Sequence, residues 1–265
     1  PDWSRGLGDV YKRQEQDFDV IISCGRKSII PSIFLKKNSK KKIINIHIQN
    51  PKISLKHFDF VVCPEHDNLE GPNVLTTKGA IHYLTLEEIN NSKDYLLNKL
   101  ERDKDVITLI LGGPNKYYNY SDENMISIFS RINRMLKEHN LQLVVIPSNR
   151  TPKKTIELSK EYFTDNRTVI DVVDKSAYLS SLALSKYLVV TCDSISMISE
   201  AALTGKPVYV AMIPALRNDK RFQRFRSLFE KLNIIKILEN KLETWNYEKL
   251  NEADRIALEI KQKIN

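Results

Sequence analysis

Three short stretches hold residues suited to gripping an anion. They are Gly112-Gly113-Pro114-Asn115-Lys116, Ser148-Asn149-Arg150-Thr151 and Asp193-Ser194-Ile195-Ser196, the last continuing through Met197 to Glu200. Gly112 and Gly113 carry no side chain, so backbone N–H groups there can approach a phosphate closely. Lys116 and Arg150 would add positive charge, and Ser148, Thr151 and Ser194 hydroxyls. The first stretch is not a Walker A loop, because no Gly-Lys-Ser/Thr follows, and it lacks the full G-x-G-x-x-G pattern. Taken singly, each stretch has a plainer reading: a Gly-Gly-Pro turn ends a strand, and an arginine decorates a surface.

The third stretch is the most specific. Ser and Asp are the usual residues at a helix start, so Asp193 or Ser194 is expected to cap the helix that follows. Ser196 then lies in the first turn, where free N–H groups and the positive dipole end favour an anion. Capping leaves Glu200 unexplained, since a capping box needs Glu three positions after the cap and Ser196 and Glu200 are four apart. Asp193, Ser196 and Glu200 fall at i, i+3 and i+7, on one face beside Met197, Ile198 and Ala201. A carboxylate one turn above a diphosphate is placed to accept hydrogen bonds from a ribose diol.

These loops need strands to position them. Each follows a continuous apolar run: DVITLIL before Gly112, LQLVVIP before Ser148, YLVVTC before Asp193. Continuous runs suit a parallel sheet covered on both faces, and the intervening helical patterns predict right-handed βαβ units. Ligands of such sheets bind beyond the carboxyl ends of the strands, which puts all three loops on one edge. An earlier series, DFDVIISCG, KKIINIHIQNP, FDFVVCPEHD and NVLTTKGA, predicts another parallel sheet. The expected fold class is α/β: two Rossmann-like doubly wound lobes with a cleft between them, the first incomplete. The expected boundaries are 15–88 for the first lobe, 89–104 for a linking helix, 105–240 for the nucleotide-binding lobe and 241–265 for a C-terminal helix. Residues 1–14 stand apart, because DVYKRQ is what GATGTGTATAAGAGACAG, a sequencing-library transposon end, encodes. They are read as an assembly artefact ahead of a truncated first lobe.

The 265 residues are 42% hydrophobic and 28% charged, with a formal charge of +8. No apolar run reaches the roughly 20 residues of a membrane span, and no signal peptide is visible. Three widely spaced cysteines, without C-x-x-C or nearby His spacing, argue against a disulfide framework and a zinc site, and fit a reducing, cytoplasmic setting. The positive balance invites nucleic acid or anionic lipid as partners. The lysines are scattered, however, apart from KKNSKKK at 36–42, and no RNA-binding aromatic motif accompanies them. A solvated basic surface touching anionic membrane peripherally is the preferred reading, with no specific nucleic-acid partner.

The set D-S-x-S-M-x-S-E-A-x-x-T-G-K-P-V, GGPNKYY, PSNRTP, IHIQNP and FDFVVCPEHD…GPNV resembles the elongated-mitochondria family, the plant mitochondrial fission factor and its bacterial relatives. The resemblance covers about Asp17 to Phe229. It implies a GT-B glycosyltransferase-like fold whose second lobe binds a nucleotide-sugar. Glu200 would hold ribose, Gly113, Ser194 and Ser196 the diphosphate, and Arg150 and Lys116 would offset charge on the leaving nucleotide. No metal or cofactor is implied, and no D-x-D motif is present. Family chains show Ser-Arg-Arg-Thr-Pro where Asn149 replaces the first Arg here, and they begin with a strand and cleft loop that this sequence lacks. In the first lobe, His47, Gln49 and Asn50 end one strand, and Glu65, His66 and Asp67 follow the next. One of the latter three would serve as general base for an acceptor hydroxyl, although Pro-Glu-His-Asp also reads as a hydrogen-bonded turn, and Asn73 as its closure. His57, His82 and His139 are expected on the surface. Three functions follow from the resemblance: a metal-independent glycosyltransferase acting on an unknown acceptor, a non-catalytic scaffold recruiting a partner at a membrane, and a nucleotide-sugar 2-epimerase.

Overall fold

Runs that are apolar at every position can be satisfied only where both faces of a strand are covered, and the chain meets that condition in its longer unit. The computed structural model describes residues 18–264. The reading of residues 1–14 lies outside them. The described chain divides into two compact units, one of residues 18–77 and 254–264, the other of residues 78–253.

In the first unit, strands β1 (Val20–Cys24), β2 (Ile44–Ile48), β3 (Phe60–Pro64) and β4 (Val74–Thr77) pair in that order, all parallel. Helix α1 (Arg26–Asn38) links β1 to β2, and Ile29, Phe58 and Val61 form a small core.

The second unit opens with two short helices, α2 (Leu86–Asn91) and α3 (Asp94–Leu97), where one linking helix over 89–104 is expected. The Asn-Asn-Ser run at 90–92 breaks it, as residues whose side chains compete for backbone hydrogen bonds do. Both pieces belong to this unit; Ser180 Oγ accepts from the Leu96 N–H at 3.1 Å and donates to Lys93 O at 2.8 Å. The strand–helix rhythm then runs as expected. It comprises β5 (Asp105–Leu111), α4 (Asp122–Glu138), β6 (Leu141–Pro147), α5 (Lys153–Tyr162), β7 (Arg167–Val169), α6 (Lys175–Leu184), β8 (Tyr187–Thr191), α7 (Ile195–Ala202), β9 (Val208–Ala211), α8 (Lys220–Lys231) and β10 (Ile235–Ile237). Every residue of β6 and β8 is buried. Helix α4 turns Met125, Ile128, Phe129, Ile132 and Met135 inward at helical spacing, and Ser121 caps it by accepting the Asn124 N–H.

The six strands are all parallel, in the order β10-β9-β8-β5-β6-β7. Read from the far edge this is the 3-2-1-4-5-6 order of a dinucleotide-binding sheet, with its topological switch between β5 and β8. Residues 241–251 are irregular, and the last helix, α9 (Glu252–Ile264), carries the chain back into the first unit, where Arg255 donates to Thr76 O at 2.6 Å. The expected 15–88 and 241–265 boundaries therefore miss both this return and the membership of residues 78–88 in the second unit.

The Gly-Lys-Pro after α7 is structural. Gly205 has φ +73°, a conformation that a side chain disfavours. Lys206 Nζ donates to the carbonyls of Leu182 and Ala183 at 2.7 and 2.6 Å, closing the C-terminal end of α6. No described helix is long and apolar enough to cross a membrane.

Candidate functional site

Where β5 and β8 part, their last backbone groups lose strand partners and must find others. The chain supplies them itself. Gly112 N–H donates to Thr191 Oγ1 at 2.8 Å and Gly113 N–H to Asp193 Oδ2 at 2.9 Å. Tyr120 OH reaches Thr191 Oγ1 at 2.8 Å and Asp193 Oδ1 at 2.6 Å. Arg150 completes the bracket, with Nη2 3.0 Å from Asp193 Oδ2 and Nη1 2.9 Å from Gly113 O. Ser148 Oγ donates to Gly112 O at 2.8 Å, and Thr151 Oγ1 lies 2.9 Å from Leu111 O. Gly112, Gly113, Ser148, Arg150, Thr151 and Asp193 thus come together as expected, but as a self-satisfied clamp. The glycine N–H groups are occupied rather than presented to a phosphate.

The two glycines are required for close approach within this clamp. A Cβ on Gly112 would stand 2.3 Å from Asp193 Oδ2, and one on Gly113 only 2.2 Å from the Arg150 carbonyl oxygen. Gly113→Ala, which pushes against backbone, is expected to cost about 1–3 kcal/mol, seen as a lowered thermal midpoint; an unchanged midpoint would contradict the clamp. Pro114 and Lys116 are exposed, Lys116 Nζ lying 4.8 Å from the Tyr117 ring centroid. Asn115 Oδ1 accepts from the Tyr117 and Tyr118 N–H groups, which makes it a turn former.

Helix α7 starts at the same edge. Ser194 caps it, its Oγ accepting the Met197 N–H at 3.4 Å. The N–H groups of Ile195 and Ser196 have no acceptor among the described residues, and the Ser196 side chain is exposed. One turn further, about 5.4 Å along the axis, Glu200 lines a pocket of about 210 Å³. Its floor is apolar, made by Ile110, Ile146, Pro147 and Met197, with Ser148, Asn149 and Val173 around it and the largely exposed Tyr83 beside them. Glu200 Oε2 accepts from Tyr178 OH at 2.6 Å, whereas Oε1 has no partner among the described residues. Burial raises the Glu200 pKa above the ordinary carboxylate value, and the Tyr178 hydrogen bond opposes that rise. The pocket therefore offers one carboxylate oxygen to a ligand's hydroxyl donors, and the helix start offers two N–H groups to an anion.

Sequence spacing reveals neither Tyr178, Tyr83 nor Lys175. Tyr178 and Lys175 sit on α6, and nothing in a helix that reads SAYLSSLALS ties it to Glu200. Strand β7 ends at Val169, and beyond it Val172 and Val173 are exposed. Lys175 Nζ pairs with Glu88 at 2.7 Å and lies 5.0 Å from the Tyr83 ring centroid.

A family model described as mitochondrial fission ELM1 matches residues 2–264. The chain belongs to that family. The Rickettsia prowazekii protein RP120 is 27% identical over 92% of this chain and 79% of its own length. The Arabidopsis thaliana mitochondrial fission protein ELM1 is 23% identical over 92% of this chain. The chain spans 64% of that plant protein, under two thirds of its length. Among solved structures, the UDP-GlcNAc 2-epimerase of Methanocaldococcus jannaschii superposes with a TM-score of 0.55 at 13% identity, covering 98% of this chain and 81% of that one. A Neisseria meningitidis UDP-GlcNAc 2-epimerase gives 0.54 at 14%, covering 98% and 80%. At these identities the likeness is one of fold: this ELM1-family chain has Rossmann-like lobes of the GT-B kind.

The family member's first unit holds the remaining candidates. Glu65, His66 and Asp67 form a single 3₁₀ turn after β3, ended by Asn68 at φ 49°. Glu65 is exposed, but His66 is 2% exposed, with Nε2 3.9 Å from Asp67 Oδ1. His47 is also buried, Nδ1 2.8 Å from Ser23 Oγ, and burial lowers its pKa. Asn73 Nδ2 donates to Leu55 O and Phe58 O, which is turn closure. His82, expected on the surface, is half-buried with its pKa lowered. Among the described residues no three His, Cys, Asp or Glu side chains converge as metal ligands.

Proposed function

We propose that the second unit binds a nucleoside-diphosphate sugar and that the protein is a glycosyltransferase-like enzyme. The observation that carries this reading is the Oε1 of Glu200, unpartnered among the described residues, one turn above the free Ile195 and Ser196 N–H groups at a helix start, at the switch point of a 3-2-1-4-5-6 sheet. The pocket is smaller than the ~300–1,000 Å³ of typical ligand clefts, which suits the nucleoside half of a larger molecule. Ribose hydroxyls would donate to Glu200, and the diphosphate would meet the Ile195 and Ser196 N–H groups and the Ser196 hydroxyl. The Neisseria meningitidis UDP-GlcNAc 2-epimerase, which shares this fold and has been seen bound to UDP-GlcNAc, supports the choice of ligand class.

In transfer, an acceptor hydroxyl oxygen would bond to the anomeric carbon as the bond from that carbon to the diphosphate oxygen breaks. The acceptor proton passes to a base, and negative charge gathers on the departing nucleoside diphosphate. A helix start stabilises that charge without reorganising. Arg150 is held by Asp193 and Gly113, so its service to the ligand is indirect, through the clamp.

Calorimetry with UDP, UDP-GlcNAc and the corresponding guanosine and adenosine compounds tests the reading. Micromolar binding of at least one is expected, and failure to bind any would end it. With binding in hand, product analysis separates transfer from 2-epimerisation, and binding with no turnover in either assay marks a scaffold.

A further inference from the structure

Resting on that reading of the pocket, we propose that Tyr178 is its positioning residue: the phenol holds Glu200 by Oε2 and so reserves Oε1 for the ligand's ribose hydroxyls. The two side chains come from different helices, α6 and α7, and their hydroxyl–carboxylate distance is 2.6 Å. Among the described residues this is the one hydrogen bond that the Glu200 side chain makes. Without it, a half-buried carboxylate on an apolar floor could rotate freely, and its two oxygens would be equivalent to a ligand. With it, one oxygen is engaged and the other is held in place.

The surrounding charged groups are committed elsewhere. Lys175 pairs with Glu88, and Asp174 accepts from Tyr95 OH and caps α6 through the Ala177 N–H. Tyr83 lies under the Lys175 ammonium, and His82 is engaged by the Ser199 and Leu84 backbones. The phenol is therefore the group that orients Glu200, and its hydrogen bond offsets part of the rise that burial imposes on the carboxyl pKa. A phenol donating to a carboxylate favours the charged form, so its loss disfavours that form.

The test compares ribo- with 2′-deoxyribonucleoside diphosphates across pH for wild type, Tyr178→Phe and Glu200→Gln. In wild type the ribonucleotide is expected to bind about tenfold better, as one hydrogen bond to a charged acceptor allows, with affinity falling on the acid side as Glu200 takes a proton. In Tyr178→Phe that preference shrinks to about twofold or less, and the acid fall begins at higher pH. Glu200→Gln should show no acid fall at all. Thermal midpoints confirm that each variant is folded. If folded Tyr178→Phe keeps the wild-type ribose preference and the wild-type acid limb, Tyr178 merely fills space and the proposal is overturned. If wild type binds no nucleotide, the underlying reading fails instead; if it binds ribo and deoxy forms equally, the reading survives and the inference does not.

Discussion

Glu200→Ala is expected to weaken nucleoside-diphosphate binding by about 10–150-fold, the range spanned by hydrogen bonds to a charged group, while the protein stays folded. The variant removes the one carboxylate oxygen that the pocket leaves unpartnered. It does not touch the clamp at Asp193 or the cap at Ser194. Burial is the larger influence on Glu200, and it raises the pKa. A carboxyl whose folded pKa lies above its unfolded one contributes stability below the unfolded value, and that contribution is lost as pH rises through the folded value. At neutral pH the buried charge is thus a cost to the fold. Glu200→Ala should leave the thermal midpoint there unchanged or slightly higher, and Glu200→Gln should flatten this part of the pH dependence. Spending stability on a carboxylate in an apolar pocket makes sense if something binds it. A folded Glu200→Ala with wild-type affinity would remove the pocket from the binding site.

The strand and helix rhythm of the second unit is legible in the sequence because burial on both faces of a parallel sheet demands uninterrupted apolar runs. The edge on which the site forms follows from chain connectivity, so the three loops converge as the spacing implies. Partner choice at that edge is not legible. Gly112 and Gly113 look the same in sequence whether their N–H groups await a phosphate or meet Thr191 and Asp193, and only the approach of the Arg150 backbone distinguishes the two. Asp193 and Glu200 are likewise both carboxylates on one helical stripe. One accepts three hydrogen bonds, from Gly113, Tyr120 and Arg150, whereas the other keeps an oxygen open. Tyr178 is invisible from sequence because its partner lies 22 positions away on another helix. In the first unit, the chemically suggestive His66 and His47 are buried, one in the turn after β3 and one in β2, a burial that the residue types alone do not announce.

Asp193→Ala is expected to produce the largest loss of stability. The carboxylate is fully buried while its Arg150 partner is 44% exposed. Breaking a buried ion pair costs about 3–5 kcal/mol, but the exposed guanidinium is screened, so the lower end applies. Most of that cost comes from the Gly113 N–H, which is left without an acceptor, and from Tyr120, which keeps only Thr191. At roughly 2–4 °C per kcal/mol for a unit of this size, a fall of about 6–12 °C in thermal midpoint follows. Asp193→Asn should recover less than half, because an amide has one acceptor oxygen where Oδ1 and Oδ2 both accept here. Arg150→Ala should be milder, and its effect should largely vanish in the Asp193→Ala background, since both act through one clamp. The same variant decides what the arginine is for. If Arg150→Ala abolishes nucleotide binding without lowering the midpoint, the guanidinium serves the ligand directly and the clamp is secondary. If midpoint and affinity fall together, Arg150 acts by holding the ends of β5 and β8 at the spacing the pocket requires.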